Sequence, residues 1–427
     1  MTHFRPIEPE GCGCEASEPR GGLISIDAAF RRIGAEASAL EGVETLELAQ
    51  ARGRVLAEDV VARMAVPPFD NAAMDGYALD SGTLEGAGPW TLTVSDRVAA
   101  GSRAHHSVAG SQAARIFTGA PLPDGADAVV MQEAVRRDGG AIRLVRRPVP
   151  RENVRRAGED MRAGYTLLRA GCRIGARQIA AAAAAGAGTL TVRRKTRVAL
   201  LVTGDELAAP GARDLPAGAI WDVNAPLLSA EFDRRDIDLV AVERGEDKPG
   251  RLARQMSRLS AGADLLVTTG GISVGEKDHV KPSLHAAGGD ILFSGVAIKP
   301  GKPVCLGRLN GALWLGLPGN PLSAFVTFRL FGAALLRGLA GETGRGAARR
   351  NVVTATEIRH RPGRCELRPA RIEGFDGQGR EVATFEDATH SARVAALPAM
   401  DGLMFIPAEI DFLPAGSLVE FLSFDAS

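Results

Sequence analysis

The spacing of apolar residues changes along the chain, and each change predicts a different secondary structure. In residues 26–40, apolar side chains recur three or four positions apart, which is typical of one buried helix face: Ile26, Ala29, Phe30, Ile33, Ala37 and Leu40. Residues 45–155 contain short β-like runs at 90–94, 128–131 and 142–145, separated by Gly, Pro and Asp. They predict a small β-rich unit. The alanine-rich stretch 178–185 predicts a packing helix.

From Arg197 onward, continuous apolar runs alternate with helical spacing. The runs 198–202, 237–242, 265–269 and 312–317 predict strands, with helices after Asn224, at 278–287 and from Pro321 or Leu322. Such alternation indicates βαβ units, and therefore an α/β domain with a parallel sheet and helices on both faces. Functional loops of such sheets lie beyond the carboxyl ends of the strands. After about residue 346, short β runs predict a small C-terminal β domain.

Charge and composition argue against some functions. Lys+Arg and Asp+Glu are both 51, so the net charge is zero and a surface for nucleic acid or anionic membrane is not expected. No apolar stretch approaches the ~20 residues of a membrane-spanning helix, and the first residues lack a signal-peptide core, so a cytoplasmic protein is expected. The five cysteines are odd in number and scattered, and Cys12-Gly13-Cys14 lacks a companion ligand pair for a metal.

Three rigid loops are candidates for anion binding. The loop 269–278 carries Gly270, Gly271, Ser273 and Gly275 between a strand and a helix, where glycine lets backbone amides approach a phosphate. Its spacing matches neither a dinucleotide fingerprint nor a P-loop, so a plain turn remains an alternative.

The second loop is Lys299-Pro300-Gly301-Lys302-Pro303, in which prolines stiffen a segment with two cations. The third loop spans 317–323, and Asn320 or Ser323 could cap the helix that follows, which is its structural alternative. Its remaining candidate ligand-binding residues are Pro318, Gly319 and Pro321.

Several carboxylates sit in turns next to glycine. The acidic candidates are Asp75, Asp160, Asp205, Glu206, Asp222, Asp247 and Asp278. Each alone is often a turn residue that bonds its own backbone. Beside lysine-bearing phosphate loops, however, such a set indicates Mg²⁺, which commonly bridges one or two carboxylates and substrate phosphates.

Seven ordered blocks resemble the molybdopterin molybdenumtransferase (MoeA) family over roughly residues 23–425. The most specific is Pro67-Pro68-Phe69-Asp70-Asn71-Ala72-Ala73-Met74-Asp75-Gly76-Tyr77-Ala78. The others lie at 118–133, 156–160, 203–207, 270–278, 299–303 and 317–323. Seven blocks in the family's order are far more specific than one glycine loop.

The resemblance implies a cytoplasmic homodimer with a multidomain α/β plus β fold. The expected parts are a tail (1–22), a discontinuous helical linker and dimerisation domain (23–48 and 155–196), a β-rich insertion (49–154), an α/β molybdopterin-binding domain (197–345) and a C-terminal β-barrel (346–427). The implied reaction inserts molybdenum from molybdate into adenylylated molybdopterin with Mg²⁺, releasing AMP. Further expected partners are the pterin adenylyltransferase and downstream molybdoenzyme maturation proteins.

The family's functional residues carry over position by position. Catalytic roles fall on Asp75, Thr118, Asp160, Glu206 and Lys299, and metal binding on Asp247 and Asp278. Substrate binding falls on Gly270, Gly271, Ser273, Gly275, Lys302, Pro318, Gly319, Asn320, Pro321, Ser323, Arg368 and Ser391.

Two positions depart from the family pattern, and two other functions remain open. Gly295 stands where many relatives have a basic residue, and the C-terminal arginine is out of register, leaving Arg368 or Arg371. One alternative is an adenylyltransferase that activates the pterin with ATP. The other is a scaffold of the gephyrin type. The β-rich blocks around Asp75 and Thr118 favour the molybdenum-inserting enzyme, and gephyrin's linker and fused domain have no counterpart here.

Overall fold

The structure is a computed structural model that describes residues 22–211, 213–246, 248–272, 278–344, 349–385 and 394–424. Residues 1–21 of the predicted tail (1–22), with Cys12 and Cys14, lie outside these ranges. The elements of the first part, in chain order, are α1 (Ile26–Glu36), β1 (Val43–Glu47), β2 (Val60–Val61), β3 (Asn71–Ala72), β4 (Gly76–Leu79), β5 (Trp90–Val98), β6 (Gln112–Ile116), β7 (Ala128–Met131), β8 (Val135–Asp138), β9 (Ala141–Leu144), β10 (Val154–Arg155), β11 (Thr166–Leu168), α2 (Ala176–Ala184) and β12 (Thr189–Arg193).

Two groups of strands organise this first part. A six-stranded mixed sheet has the order β7-β4-β6-β5-β9-β8 and contains the three β runs predicted from the sequence. The pairs β1–β12 and β2–β11 bring residues before that sheet together with residues after it. Their shared core contains Leu56 and Val60 beside Ile174 and Val192. The mixed sheet is therefore an insertion between two halves of a smaller unit.

The second part is an α/β sandwich. Its elements are β13 (Thr196–Thr203), β14 (Leu207–Ala208), β15 (Ile220–Trp221), α3 (Asn224–Phe232), β16 (Ile237–Gly245), α4 (Pro249–Gly262), β17 (Leu265–Thr269), α5 (Val280–Ala286), β18 (Asp290–Ser294), β19 (Ile298–Lys299), β20 (Cys305–Leu309), β21 (Ala312–Leu317), α6 (Pro321–Thr327) and α7 (Ala333–Leu339). A six-stranded sheet has the order β16-β13-β17-β21-β20-β18. Alternate residues of β13 face opposite cores, Val198 packing with α3 and α6 and Ala199 with α4 and α5. Helices on both faces are thereby confirmed.

The sheet is parallel only in part. The strands β16, β13, β17 and β21 run in the same direction, whereas β20 is antiparallel to β21. The reason is the hairpin turn Asn310–Gly311, which has φ values of +52° and +83°. Left-handed backbone at both positions is typical of the tight turns that Asn-Gly favours.

The third part is a β-barrel. Its strands are β22 (Arg349–Thr354), β23 (Ile358–Arg359), β24 (Cys365–Phe375), β25 (Glu381–Phe385), β26 (Gly402–Ile406), β27 (Phe412–Leu413) and β28 (Leu418–Ser423). The ring β24-β25-β22-β28-β26 closes through pairing of β24 with β26. The short strand β19 pairs in parallel with β24 and so connects the α/β sheet to the barrel. The multidomain fold predicted from the sequence is confirmed.

One helical stretch, Pro321–Leu339, meets the length and composition of a membrane span, contrary to the expectation that no such stretch exists. It comprises α6, a π-helical turn (Phe328–Gly332) and α7. Within the protein, 72% of this segment is buried. Phe328, Phe331 and Leu335 lie in the main core beside Ile33 of α1, so the stretch is a core helix.

Candidate functional site

An open cleft of about 690 Å³ lies where β13, β17 and β21 end. This is the edge at which open α/β sheets bind ligands, because several strand-to-helix loops converge there. Among the residues that line the cleft are eight that the sequence nominated: Glu206, Gly270, Gly271, Asp278, Pro318, Gly319, Asn320 and Pro321. Residues far apart in the sequence thus meet around one space of ligand size.

The first wall of the cleft is the Gly270–Gly271 turn. Gly270 has φ +84°, and a Cβ there would lie 2.7 Å from the carbonyl oxygen of Thr203. Gly271 has φ +60°, and its Cβ would lie 2.8 Å from Val280 Cγ2. Any side chain would therefore be both strained and in collision. Glycine is required for the turn itself, and it leaves the backbone open to the cleft. The continuation of this loop, with Ser273 and Gly275, lies outside the described residues.

Asn224 joins the first wall to the third loop. Its Nδ2 donates to the carbonyl oxygen of Gly319 at 2.7 Å and to Thr269 Oγ1 at 3.2 Å, and the residue is only 4% exposed. The sequence indicated Asn224 only as the start of a helix.

Asn320 occupies the N-cap position of α6 without a capping side-chain bond, so the capping alternative is not met there. Ser323 is buried and does not line the cleft.

Two carboxylates, Glu206 and Asp278, face the cleft. The turn that carries Glu206 is held by Arg244, whose Nη2 donates to the carbonyl oxygens of Gly204 at 2.8 Å and Asp205 at 3.0 Å. Asp222 has a structural role instead, because its Oδ1 accepts from the backbone N of Ala225 at 3.0 Å. The turn alternative therefore holds for Asp222.

The acidic residues permit a magnesium site but do not form a protein-only cage. Across the described ranges, no three His, Cys, Asp or Glu side chains are grouped as metal ligands. Asp247 lies outside those ranges. Mg²⁺ is usually bound by one or two carboxylates, with water and substrate phosphates completing its octahedron. The carboxylates of Asp278 and Glu206 in the cleft fit that donor set.

Lys299 lies in a second polar group, at the junction with the barrel. Its Nζ donates to Glu366 Oε1 at 3.2 Å, and the same oxygen accepts from Arg368 Nε at 3.2 Å. The His360 ring is buried with Nδ1 3.7 Å from Glu366 Oε2. Burial alone would raise the pKa of Glu366, but the charges and hydrogen bonds of Arg368 and Lys299 outweigh it and lower that pKa.

The cations of this group differ in how far their side chains are exposed to solvent. The Lys299 side chain is 49% exposed, and Lys302 is exposed as well. Arg368 is only 6% exposed, and its guanidinium also lies 4.7 Å from the Phe385 ring centre. Arg371, the other arginine considered, pairs with Glu373 on the surface. Lys299 and Lys302 are thus accessible to an anion, whereas Arg368 contacts solvent little. Ser391 lies outside the described residues.

Gly295, where the resemblance implies a basic residue in many family members, is fixed by packing. It has φ +92°, and a Cβ there would lie 2.7 Å from Leu23 Cδ2. Ile24 donates its backbone N–H to the carbonyl oxygen of Gly295 at 3.2 Å. The N-terminal segment therefore occupies the space that a longer side chain would need.

Asp75 and Thr118 form a separate pair in the inserted sheet. Asp75 Oδ1 accepts from both the backbone N and the Oγ1 of Thr118, each at 2.8 Å. These two bonds lower the pKa of Asp75, with a smaller contribution from Arg115. Asp160 lies in another cavity of about 390 Å³, together with Arg156 and other neighbours. The lining of this cavity shares no residue with the cleft, and Asp75 and Thr118 do not line the cleft either. Within the described parts, one chain therefore does not bring all predicted site residues together.

Comparisons with known proteins cover nearly the whole chain. Residues 24–186 match the MoeA N-terminal region (domain I and II), 199–338 a probable molybdopterin binding domain, and 351–424 the MoeA C-terminal region (domain IV). The chain is 35% identical over 387 residues to molybdopterin molybdenumtransferase 2 of Mycobacterium tuberculosis, covering 88% of this chain and 94% of the relative. With the molybdopterin molybdenumtransferase of Synechococcus elongatus it shares 33% identity over 417 residues, covering 94% and 100%.

A solved structure agrees with these matches. The molybdopterin biosynthesis MoeA protein of Pyrococcus horikoshii OT3 superposes with a TM-score of 0.82 at 27% identity, covering 94% of this chain and all of that one. An inserted β sheet, an α/β unit with a ligand-sized cleft and a closed barrel define a multidomain protein of molybdenum cofactor biosynthesis. The chain belongs to the molybdopterin molybdenumtransferase (MoeA) family.

Proposed function

We propose that this protein transfers molybdenum from molybdate to adenylylated molybdopterin and releases AMP. The observation that carries the proposal is the cleft at the ends of β13, β17 and β21, in which glycine turns and carboxylates face one space of ligand size. Relatives with more than 30% identity over most of the chain are named molybdopterin molybdenumtransferase. The expected location is the cytoplasm.

Each wall of the cleft has a role in this proposal. The backbone at Gly270 and Gly271, with the adjoining Ser273 and Gly275, binds the substrate's phosphates. The rigid turn Pro318–Pro321 lies beside the glycine turn and is kept in place by Asn224. Preorganised backbone groups are effective because they need little rearrangement when charge develops on the phosphates.

Molybdate is an oxyanion and requires cations nearby. Lys299 is exposed and lies four residues before Pro303, which lines the cleft. Lys302 is the second cation of that loop. Arg368 supports them indirectly, because it shares Glu366 with Lys299. We propose that Lys299 and Lys302 attract molybdate and that Ser391 contributes a hydroxyl.

Asp278 and Asp247 are proposed to hold Mg²⁺ together with the phosphates. The ion would neutralise negative charge on the phosphates and polarise phosphorus. Glu206 would orient water molecules at that edge of the cleft. The proposed reaction requires no nucleophilic side chain, since molybdate oxygen or water can attack phosphorus.

The position of three predicted site residues outside the cleft supports a site that is shared in a homodimer. They are Asp75, Thr118 and Asp160. They carry polar groups but do not line the cleft of their own chain. We propose that the insertion of one subunit completes the cleft of its partner, because a two-fold dimer then builds two such sites at once.

Subunit mixing tests the shared site. Pure Asp75→Ala and pure Lys299→Ala dimers should both be nearly inactive, since each site carries a lesion. In a mixed dimer, one site carries both lesions and the other carries none. Random reassortment makes about half of the dimers mixed, so activity should recover toward roughly a quarter of wild type. No recovery, with mixed dimers demonstrated by two affinity tags, would place each site within one chain.

Product analysis tests the function itself. Purified protein is incubated with adenylylated molybdopterin and Mg²⁺, with and without molybdate, and AMP is measured. AMP release that requires molybdate supports the proposal. Consumption of ATP with free molybdopterin would indicate an adenylyltransferase, and neither activity would indicate a non-catalytic scaffold. The partners named above, the adenylyltransferase and maturation proteins of molybdoenzymes, can be added to the same assay.

A further inference from the structure

Trp221 is an exposed aromatic residue in the wall of the cleft. It lies on β15, lines the cleft and is 40% exposed. The neighbouring Ile220 is 54% exposed and lines the same space. What distinguishes these two exposed side chains is their place in the wall of a ligand-sized cleft, where an aromatic or apolar surface can contact the flat part of a ligand.

The other two tryptophans of the chain differ from Trp221. Trp314 is fully buried and donates from Nε1 to Thr268 Oγ1 at 3.0 Å, and Trp90 donates from Nε1 to the carbonyl oxygen of Glu85 at 2.6 Å. Within the described residues, the indole N–H of Trp221 has no protein acceptor. Both the ring face and the N–H of Trp221 are therefore available to a ligand.

The backbone holds Trp221 in a fixed position. β15 pairs with β14, and the N–H groups of Ile220 and Asp222 donate to the carbonyl oxygens of Glu206 at 2.8 Å and Ala208 at 2.9 Å. On the other side, Asp222 caps the first turn of α3. The ring is thus presented by an anchored strand, which lowers the entropy lost when a ligand stacks on it.

We propose that Trp221 stacks on a planar heteroaromatic ring of the substrate and determines how tightly that ring is bound. The inference rests on the proposed function, in which adenylylated molybdopterin carries two such rings, adenine and the pterin. Phosphate-binding turns and an aromatic surface in one cleft fit a ligand that has both a phosphate and a flat ring. Stacking on an aromatic side chain is tolerant of ring identity, so both rings need testing.

Binding of AMP and of 6-hydroxymethylpterin should be measured by equilibrium dialysis for wild type, Trp221→Phe and Trp221→Leu. We expect Trp221→Leu to weaken binding of one ring by roughly tenfold, which corresponds to about 1.4 kcal/mol, and Trp221→Phe to keep most of it, since phenylalanine can still stack. A selective loss for AMP places adenine on Trp221, and a selective loss for the pterin places that ring there. Phe375→Leu is the matched control, because Phe375 is 72% exposed on the barrel and does not line the cleft.

Fluorescence supplies a second measurement. The stacked ring should quench indole emission more strongly in wild type than in Trp221→Phe, which keeps only Trp90 and Trp314. Unchanged affinities in Trp221→Leu, equal quenching in wild type and Trp221→Phe, or no binding of either ring to wild type would each overturn the inference. Molybdate-dependent AMP release by wild type is measured in parallel, so failure of the stacking inference is distinguishable from failure of the proposed function.

Discussion

Asp264 allows a quantitative prediction about the stability of the α/β sheet. It lies just before β17, is 9% exposed and accepts hydrogen bonds from Arg194 Nη1 at 2.7 Å and from Arg197 Nη2 at 2.9 Å. The backbone N of Arg197 donates to the same carboxylate at 2.8 Å. Burial alone would raise the pKa of Asp264, but these bonds outweigh it and lower the pKa to about 2.

The lowered pKa determines the sign and size of the contribution that Asp264 makes to the free energy of unfolding. A carboxyl group with a folded pKa below its unfolded value of 3.8 stabilises the protein above pH 3.8, and this contribution disappears as the pH falls through 2. At about 1.4 kcal/mol per pKa unit, the contribution is about 2.5 kcal/mol at pH 7. About half of it should remain at pH 3.

Comparison of wild type with Asp264→Asn isolates this contribution. Urea unfolding should be followed by fluorescence of Trp314, which is buried in this sheet, with Trp90 and Trp221 replaced by phenylalanine in both proteins. We expect the free-energy difference to be largest at pH 7 and to shrink by about half at pH 3. Asp290→Asn, an exposed change on β18 of the same sheet, controls for net charge. A difference that is equal at the two pH values would refute the reasoning.

Two further substitutions address the proposed site. Glu366→Gln should lower the molybdate concentration needed for half-maximal AMP release, because Lys299 and Arg368 then present more net positive charge to the anion. The same change should destabilise the barrel by about 3 kcal/mol in thermal unfolding, because Arg368 is left buried without its counter-charge. Glu381→Gln, which breaks a more exposed ion pair in the same barrel, should cost under about 1 kcal/mol, and equal costs for the two changes would contradict the argument. Asp278→Asn should raise the Mg²⁺ requirement about tenfold without changing the melting temperature, and an unaltered Mg²⁺ titration would mean that Asp278 is only a turn residue.

The sequence predicted those parts of the fold that depend on local patterns. The apolar runs of β13, β17 and β21 are continuous because these strands are covered by helices on both faces, and such runs are visible without a structure. The antiparallel direction of β20 was missed although its signal was present, namely Asn310–Gly311 between two apolar runs.

Other features of the site join residues that are distant in sequence, and periodicity carries no information about them. Asn224 contacts Gly319 across 95 positions, and Lys299 contacts Glu366 across 67. Glu366 is the second residue of β24, and a carboxylate in a strand is ordinarily expected on the exposed face. Its burial becomes understandable only once Lys299 and Arg368 are placed beside it. The glycine turn, by contrast, was predictable because its requirement for φ > 0 is local.

The loop from Lys299 to Pro303 explains how two separate polar groups can act on one ligand. At its start, Lys299 pairs with Glu366 through the parallel register of β19 and β24. Four residues later, Pro303 lines the cleft, while the carbonyl oxygen of Lys302 accepts from Val296 and ties the loop to the α/β unit. Because this segment is stiff and both of its ends are held, a shift at one end moves the other end as well. Displacement of the barrel strand would therefore displace the lysines relative to the turns proposed to bind phosphate. The proposed transfer requires these groups to keep a constant separation, which a flexible linker between the α/β unit and the barrel would not maintain.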